Sequence, residues 1–203
     1  MTPAGLRERK KQRVSDTLVE VALSLFDAHG FGAVTVDQIA EQAEVSPRTF
    51  FRYFGSKEAV LFADQDEMLA LVRASITARP TGEAPLVALR YALEDVMEHY
   101  AEHRDRHLRR ARMAESGAEV AAYQRSVVLP EWEDALTEVV ADRLGVHADI
   151  DLRPRLLAGT AMAALQAVGG VWLTSSGDAD VVLLLHEAFD AFETAAFEAT
   201  AAR

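Results

Sequence analysis

The chain has 203 residues, half of them hydrophobic, and its 32 acidic residues outnumber its 21 lysines and arginines to give a net charge of −11 at pH 7. It has no cysteine, which excludes disulfides, thiolate metal sites and a cysteine nucleophile. We expect no signal peptide and no apolar run near the ~18 residues that a membrane span needs, and therefore a cytoplasmic protein of one large domain or two small ones.

The charge is distributed unevenly along the chain. Residues 1–62 hold 8 basic and 8 acidic residues, whereas residues 63–203 hold 13 and 24 and carry the whole net charge. Five basic side chains fall in the first turns of a helix predicted over residues 6–29: Arg7, Arg9, Lys10, Lys11 and Arg13. Either a solvated helix end or contacts to nucleic-acid phosphates would explain this cluster.

The next segment begins at Thr35, whose hydroxyl can cap a short helix. The apolar residues of that helix recur at i, i+3, i+4 and i+7 and so occupy one face: Val36, Ile39, Ala40 and Ala43. About two residues, Glu44 and Val45, then remain for a turn.

A second short helix follows, capped by Ser46, with Pro47 in its first turn, where a missing N–H is tolerated. Phe50 and Phe54 lie four residues apart and are expected to pack back on the first helix. The remaining surface carries two arginines, a hydroxyl and two aromatic rings: Arg48, Thr49, Phe51, Arg52 and Tyr53. Such a face is well explained by a helix that enters the DNA major groove, which also favours phosphate contacts for the N-terminal basic cluster.

These residues resemble the DNA-binding signature of the TetR/AcrR family of bacterial transcriptional regulators. The shared motifs are T-V-x-x-I-A from Thr35, V-S-x-x-T-F from Val45 and R-Y-F-x-S-K-E from Arg52, within about residues 10–62. The family usually has glycine where this chain has Glu44, which predicts a positive φ angle there. The family more often has tyrosine at the position of Phe51. A phenylalanine there can contact a thymine methyl but cannot donate a hydrogen bond to a phosphate.

The resemblance implies a role for each of these residues on DNA. Arg48 is the best candidate for reading a base, and Pro47, Phe51 and Arg52 add groove contacts. Thr49 could serve either role, and the phosphate contacts are expected from Thr35, Ser46, Tyr53 and Lys57.

Only helical patterns follow, which predicts an all-α fold of about nine helices. The later helices are expected over residues 57–78, 85–103, 104–115, 118–144 with a kink at Pro130, 152–174 and 179–199. The last two are apolar on more than one face, which either a monomeric core or a four-helix interface between two copies would explain. Two DNA half-sites require two recognition helices, so we favour a homodimer.

The resemblance divides the chain at residue 62. It implies a three-helix DNA-binding domain over residues 1–62, with its helix-turn-helix at about 35–54, and a ligand-binding and dimerisation domain over residues 63–203. An effector would contact residues that are otherwise typical of a core: Met97, Tyr100, Met113, Tyr123, Trp132, Met162, Gln166 and Trp172. Nearby, Arg109, Arg110 and Arg112 could bind an anionic effector, although we favour salt bridges with acidic neighbours.

Other functions are less well supported. No HExxH, P-loop, GxGxxG, GxSxG or DxDxDG motif is present, so we expect no enzyme and no cofactor. His99, His103 and His107 recur every four residues and could suggest a metal site, but a charged break follows His103 and the nearby glutamates complete no ligand motif, so we expect no metal.

The sequence therefore predicts a ligand-responsive transcriptional regulator, most simply a repressor of a near-palindromic double-stranded DNA operator that a small molecule releases. The alternatives are an effector-independent activator or architectural DNA binder and, from another class, an enzyme on a helical-bundle scaffold.

Overall fold

The computed structural model describes the backbone of residues 3–201 and the side chains of residues 9–114 and 117–194. Within these ranges all regular structure is helical, as predicted. The α-helices are α1 (Pro3–His29), α2 (Val36–Gln42), α3 (Pro47–Tyr53), α4 (Gln65–Ala78), α5 (Pro85–Glu102), α6 (Arg104–Ser116), α7 (Ala118–Tyr123), α8 (Leu129–Leu144), α9 (Leu152–Thr174) and α10 (Val181–Ala201). Two 3-10 segments span Phe31–Ala33 and Glu58–Phe62, and a π-helical segment spans Gln124–Val128.

The chain divides into two compact units. The first comprises the residues up to Gln65 together with Met113–Gln124, and the second comprises Asp66–Arg112 and the residues from Arg125 onward. The first unit packs α1, α2 and α3 around side chains that are fully buried: Leu18, Ala22, Ile39, Ala40 and Phe50. Helix α7, which belongs to this unit, packs against the 3-10 segment Glu58–Phe62. There the rings of Phe62 and Tyr123 stack with centroids 5.7 Å apart.

The second unit is a helical bundle in which α9 packs against α8, α10 and α5. Its fully buried core joins residues from all four helices: Leu89, Leu93, Leu136, Ala161, Leu185 and Phe189. Burial of these side chains from four helices supplies the main favourable free energy of this unit.

Two predicted helices are divided in the structure. The segment predicted as one kinked helix over residues 118–144 forms α7 and α8 with the π-helical segment between them, and Pro130 lies in the first turn of α8. The backbone stays in the right-handed helical region at Gln124 and Val128. The irregularity expected at Pro130 is therefore the π-helical segment just before it, a known cause of helix kinks. The segment predicted over residues 57–78 begins as the 3-10 turn and becomes α4 only at Gln65.

The expectation that no apolar run approaches membrane-span length is wrong for α9. This helix is long and apolar enough to cross a membrane by length and composition alone, because residues 157–174 contain no charged side chain. The core helix of a soluble protein passes the same test, so the finding is weak evidence for a membrane. Ala158, Ala161 and Ala164 of α9 are fully buried within the second unit.

Candidate nucleic-acid interface

Reciprocal hydrogen bonds fix the start of α2. The backbone N–H of Gln38 donates to Oγ1 of Thr35 at 3.3 Å, and the backbone N–H of Thr35 donates to Oε1 of Gln38 at 2.8 Å. This capping box satisfies two donors that a helix N-terminus would otherwise leave unpaired. The predicted capping role of Thr35 is therefore confirmed.

The turn between α2 and α3 is closed by backbone hydrogen bonds around Glu44. The N–H of Glu44 donates to the carbonyl of Glu41 at 3.0 Å, and the N–H of Val45 donates to the carbonyl of Ala40 at 2.9 Å. This pattern ends a helix when one residue adopts a left-handed conformation. Glu44 has φ 54°, which confirms the positive φ angle predicted for this non-glycine residue.

Helix α3 is capped and anchored as predicted. Ser46 Oγ accepts a hydrogen bond from the backbone N–H of Thr49 at 3.1 Å, and Pro47 lies in the first turn. Phe50 is fully buried and Phe54 is 6% exposed, with their ring centroids 5.5 Å apart. Two buried phenylalanines on one face therefore fix which side of α3 the protein presents to solvent.

The opposite side of α3 carries the residues expected to touch DNA. Arg48, Phe51 and Arg52 are exposed, and Phe51 is exposed by 53%, an unusual fraction for a phenylalanine. Tyr53 is half-buried, with the Arg52 guanidinium carbon 5.4 Å from the centroid of its ring. Pro47 is exposed and Thr49 half-buried. The structure thus brings two cations and an apolar ring together on one solvent-facing side of a short, rigidly held helix.

Lys57 makes internal contacts that sequence reasoning missed. Its Nζ donates to the backbone carbonyls of Phe31 at 2.8 Å and Val34 at 3.0 Å, and it lies 4.1 Å from the centroid of the Phe31 ring. A lysine ammonium has three N–H donors, so two of them hold the loop between α1 and α2.

The N-terminal basic cluster lies along the first turns of α1. Lys10 and Arg13 are exposed, as are Arg9 and Lys11. The side chain of Arg7 lies outside the described residues. The cationic side chains described here therefore stand on the solvent-facing part of the first unit.

The eight candidate effector residues fall into different environments. Four are buried in the second unit: Met97, Trp132, Met162 and Trp172. Tyr100 is half-buried, whereas Gln166 is exposed. Met113 and Tyr123 belong to the first unit. The first four thus belong to the buried core of the second unit, and Gln166 does not.

The arginines of α6 have differing exposure. Arg109 and Arg112 are exposed, and Arg110 is half-buried with its guanidinium carbon 5.4 Å from the centroid of the Tyr100 ring. A cation over an aromatic ring is stabilised by the ring quadrupole. Tyr100 thus already has a protein partner.

Comparison with known proteins identifies relatives over most of the chain. A family model described as bacterial regulatory proteins, tetR family, matches residues 18–63, and one described as MftR C-terminal domain matches residues 83–196. The HTH-type transcriptional regulator TcmR of Streptomyces glaucescens is 38% identical over 175 residues, covering 83% of this chain and 76% of that protein. MftR of Mycobacterium tuberculosis, named for mycofactocin biosynthesis, is 30% identical over 165 residues, covering 81% of this chain and 82% of that protein.

A solved structure has a similar fold. FadR of Thermus thermophilus, a TetR-family transcriptional repressor in complex with lauroyl-CoA, superposes with a TM-score of 0.54 at 23% identity. The superposition covers 87% of this chain and 91% of that chain. At this level of identity, the likeness concerns the fold alone.

Proposed function

The chain belongs to the TetR family of bacterial transcriptional regulators and carries an MftR-like C-terminal domain, and from this premise we propose that it is a homodimeric, cytoplasmic repressor that a small molecule releases from its operator. As a member of this family it is a DNA-binding regulator and not an enzyme. The observation that carries the proposal is the solvent-facing side of α3, where Arg48, Phe51 and Arg52 are exposed opposite a buried Phe50.

The DNA contacts are proposed for that side of α3 and for the residues around it. Arg48 reads a guanine through two parallel hydrogen bonds, a contact worth about 1–3 kcal/mol of discrimination between bases. Pro47, Phe51 and Arg52 add contacts in the groove, and Thr49 contacts either a base or a phosphate. Phosphate contacts come from Thr35, Ser46, Tyr53 and Lys57.

A homodimer is supported by apolar side chains that the single chain leaves exposed on α9 and α10. Leu156 is 62% exposed, Val171 50%, Leu183 57% and Phe192 36%. A groove of about 810 Å³ also runs beside the start of α9, with Leu152, Leu156 and Phe192 among its lining residues. Large exposed apolar patches mark interaction sites in soluble proteins. Pairing of α9 and α10 with those of a second copy would cover these side chains and supply two recognition helices for a near-palindromic operator.

The proposed DNA-binding domain covers residues 1–62 and the proposed regulatory domain residues 63–203. The compact units support a boundary close to residue 62, since the first unit ends at Gln65 before Asp66 begins the second. The segment Met113–Gln124 nevertheless packs with the first unit. The effector would bind in the regulatory domain, close to the buried Met97, Trp132, Met162 and Trp172. It would favour a dimer whose recognition helices no longer match the operator spacing.

The proposed function is tested by selecting genomic DNA fragments on the purified protein while the salt concentration is raised in steps. We expect recovery of a near-palindromic site that persists at moderate salt. Arg48→Ala should then lower affinity for that site by about 10–100-fold and relax the base preference. The control Arg125→Ala, at an exposed arginine of the π-helical segment, should leave the affinity unchanged.

The effector is tested on the same protein–DNA complex. Release of the labelled operator by lauroyl-CoA, the ligand in the Thermus FadR structure, or by other small molecules would support a ligand-released repressor. Recovery of DNA without sequence preference, or equal losses in the two arginine variants, would contradict the proposal.

A further inference from the structure

Three histidines meet where α5 gives way to α6. Helix α5 ends at Glu102, His103 is its C-terminal cap, and α6 begins at the next residue. The rings of His99 and His103 stack with centroids 4.3 Å apart, and the His99 ring lies 6.0 Å from that of His107. The charged break noted in the sequence follows His103 and therefore does not separate His99 from His103.

Two of these histidines form a tight group with a carboxylate. The ligand atoms of His99, Glu102 and His103 all lie within 4.8 Å of one another. We propose that these three side chains bind a late first-row divalent cation, with Zn²⁺ the best match. This inference goes beyond the proposed function, because it requires neither DNA nor an organic effector.

The chemistry of the three ligands defines the class of metal. Imidazole suits Zn²⁺, Ni²⁺, Co²⁺ and Cu²⁺, whereas Mg²⁺ and Ca²⁺ prefer sites made of oxygen ligands. Two histidines and one glutamate are also a known set of three protein ligands for Zn²⁺, with water in the fourth position. Bonds of 2.0–2.1 Å around a tetrahedral Zn²⁺ place ligand atoms about 3.4 Å apart. The ligand atoms here lie within 4.8 Å of one another, so the group must close by at most roughly 1.4 Å. Glu102 is exposed, and its side chain can rotate to make this adjustment.

The hydrogen bond of His103 prepares it to bind a metal. Its Nδ1 lies 3.0 Å from the backbone carbonyl oxygen of His99. A carbonyl oxygen only accepts, so Nδ1 carries the hydrogen, and in the neutral ring Nε2 then has its lone pair available for a metal. Histidine ligands of metals commonly donate their second ring N–H to a backbone carbonyl in this way, which fixes both the tautomer and the ring orientation.

The guanidinium group of Arg104, the residue after His103, already forms hydrogen bonds with other parts of the second unit. Its Nε donates to the carbonyl of Gly177 at 2.7 Å, and its Nη2 donates to the carbonyl of Ser176 at 2.9 Å and to Oδ1 of Asp178 at 2.6 Å. The carboxylate of Asp178 offsets the guanidinium charge, so less repulsion acts on a cation bound at Glu102. A bound metal would link the last turn of α5 to its cap and stabilise the junction with α6.

The proposal is tested by titrating ZnCl₂ into the full-length protein, without a histidine tag, after treatment with a chelator. We expect calorimetry to show one saturable site per chain and Zn²⁺ to raise the melting temperature. Replacement of Zn²⁺ by Co²⁺ should give the visible absorption bands of a tetrahedral site. His103→Gln should lower the affinity for Zn²⁺ at least tenfold, and Glu102→Gln should lower it as well.

The control is His147→Gln, which changes an exposed histidine in the loop between α8 and α9 and should leave Zn²⁺ binding unchanged. The absence of saturable binding in the wild-type protein would overturn the proposal. So would an undiminished affinity in both His103→Gln and Glu102→Gln, or an equal loss in the control. Since no DNA is present, failure of this test would leave the proposed repressor function intact.

Discussion

The ammonium group of Lys57 lies 2.8 Å from the carbonyl oxygen of Phe31 and 4.1 Å from the centroid of the same residue's ring. A third contact, 3.0 Å long, reaches the carbonyl of Val34 just before α2. One side chain after α3 therefore holds the loop that leads into the helix-turn-helix. Lys57 is consequently a structural residue in addition to its proposed contact with a phosphate.

Replacing Lys57 with methionine keeps the aliphatic chain and removes the ammonium group. Hydrogen bonds from a charged donor contribute about 1.5–3 kcal/mol, so we expect Lys57→Met to lower the free energy of unfolding by about that amount. Urea denaturation measures the loss, and Lys10→Met on the exposed face of α1 should change stability by less than about 0.5 kcal/mol.

The phosphate contact of Lys57 is tested separately by the salt dependence of DNA binding. If its third N–H holds a phosphate, Lys57→Met should reduce the slope of log affinity against log salt concentration by about one. A loss of stability with an unchanged slope would assign Lys57 to folding alone.

Replacing Glu44 with glycine should stabilise the first unit. Glu44 has φ 54°, a conformation that costs a residue with a side chain about 1–2 kcal/mol and costs glycine little. Because glycine also loses more chain entropy on folding, we expect a net gain of about 0.5–1 kcal/mol in Glu44→Gly by chemical denaturation. The matched control is Glu41→Gly within α2, which should lose about 1 kcal/mol, and a gain in both variants would contradict this explanation.

A charge at Leu156 should prevent the proposed dimer from forming. Leu156 is 62% exposed on α9, so a glutamate there costs the single chain little but would be buried without a partner between two copies. Light scattering coupled to size exclusion should show a dimer for the wild type and a monomer for Leu156→Glu. Ala74→Glu, on an exposed position of α4, should remain dimeric, and a monomeric wild type would refute the interface.

Arg143 on α8 donates hydrogen bonds to the end of α4 and the loop after it. Its replacement should therefore destabilise the second unit. Its side chain is only 7% exposed. Its Nη1 donates to the carbonyl of Ile76 at 3.3 Å, and its Nη2 donates to the carbonyls of Pro80 and, at 3.1 Å, Glu83. Since Arg143→Met leaves these carbonyls without their charged donor, we expect a loss of about 2–3 kcal/mol in the free energy of unfolding.

Hydrogen exchange can localise the effect of Arg143→Met. Protection should fall first in the segment from Ile76 to Glu83, where the accepted hydrogen bonds are lost. Arg153→Met, at an arginine that is 58% exposed, should lower the free energy of unfolding clearly less than Arg143→Met. An equal loss in the free energy of unfolding of the two variants would contradict a stabilising role for the hydrogen bonds of the buried Arg143.

The start of α9 should make stability depend on pH in the acid range. Hydrogen bonds from the guanidinium and the backbone N–H of Arg153 lower the pKa of Asp151 from 3.8 to about 2. A carboxyl whose pKa is depressed by folding stabilises the native state above its unfolded pKa, and this contribution is lost as the pH falls from about 4 towards 2. The melting temperature of the wild type should therefore exceed that of Asp151→Asn at pH 6, and the difference should shrink below pH 4. A difference that is constant with pH would contradict this assignment.

The sequence by itself determined the local structure of the candidate DNA interface. The caps at Thr35 and Ser46, the positive φ angle at Glu44 and the burial of Phe50 all follow from residues that lie within about one or two helical turns of their partners. The motif resemblance added the family, which the comparisons confirm. Such contacts are readable in a sequence because neighbouring residues meet whenever a helix forms.

Only the tertiary structure decided which distant residues meet. Lys57 reaches carbonyls 26 and 23 positions earlier in the chain, and Arg143 reaches one 67 positions earlier, at Ile76. No periodicity in the sequence encodes these pairs, because a backbone carbonyl is present at every residue and only the packing of helices selects one. Local patterns thus determined the helices, their caps and the spacing of the histidines, whereas the packing of helices selected the long-range partners of Lys57 and Arg143.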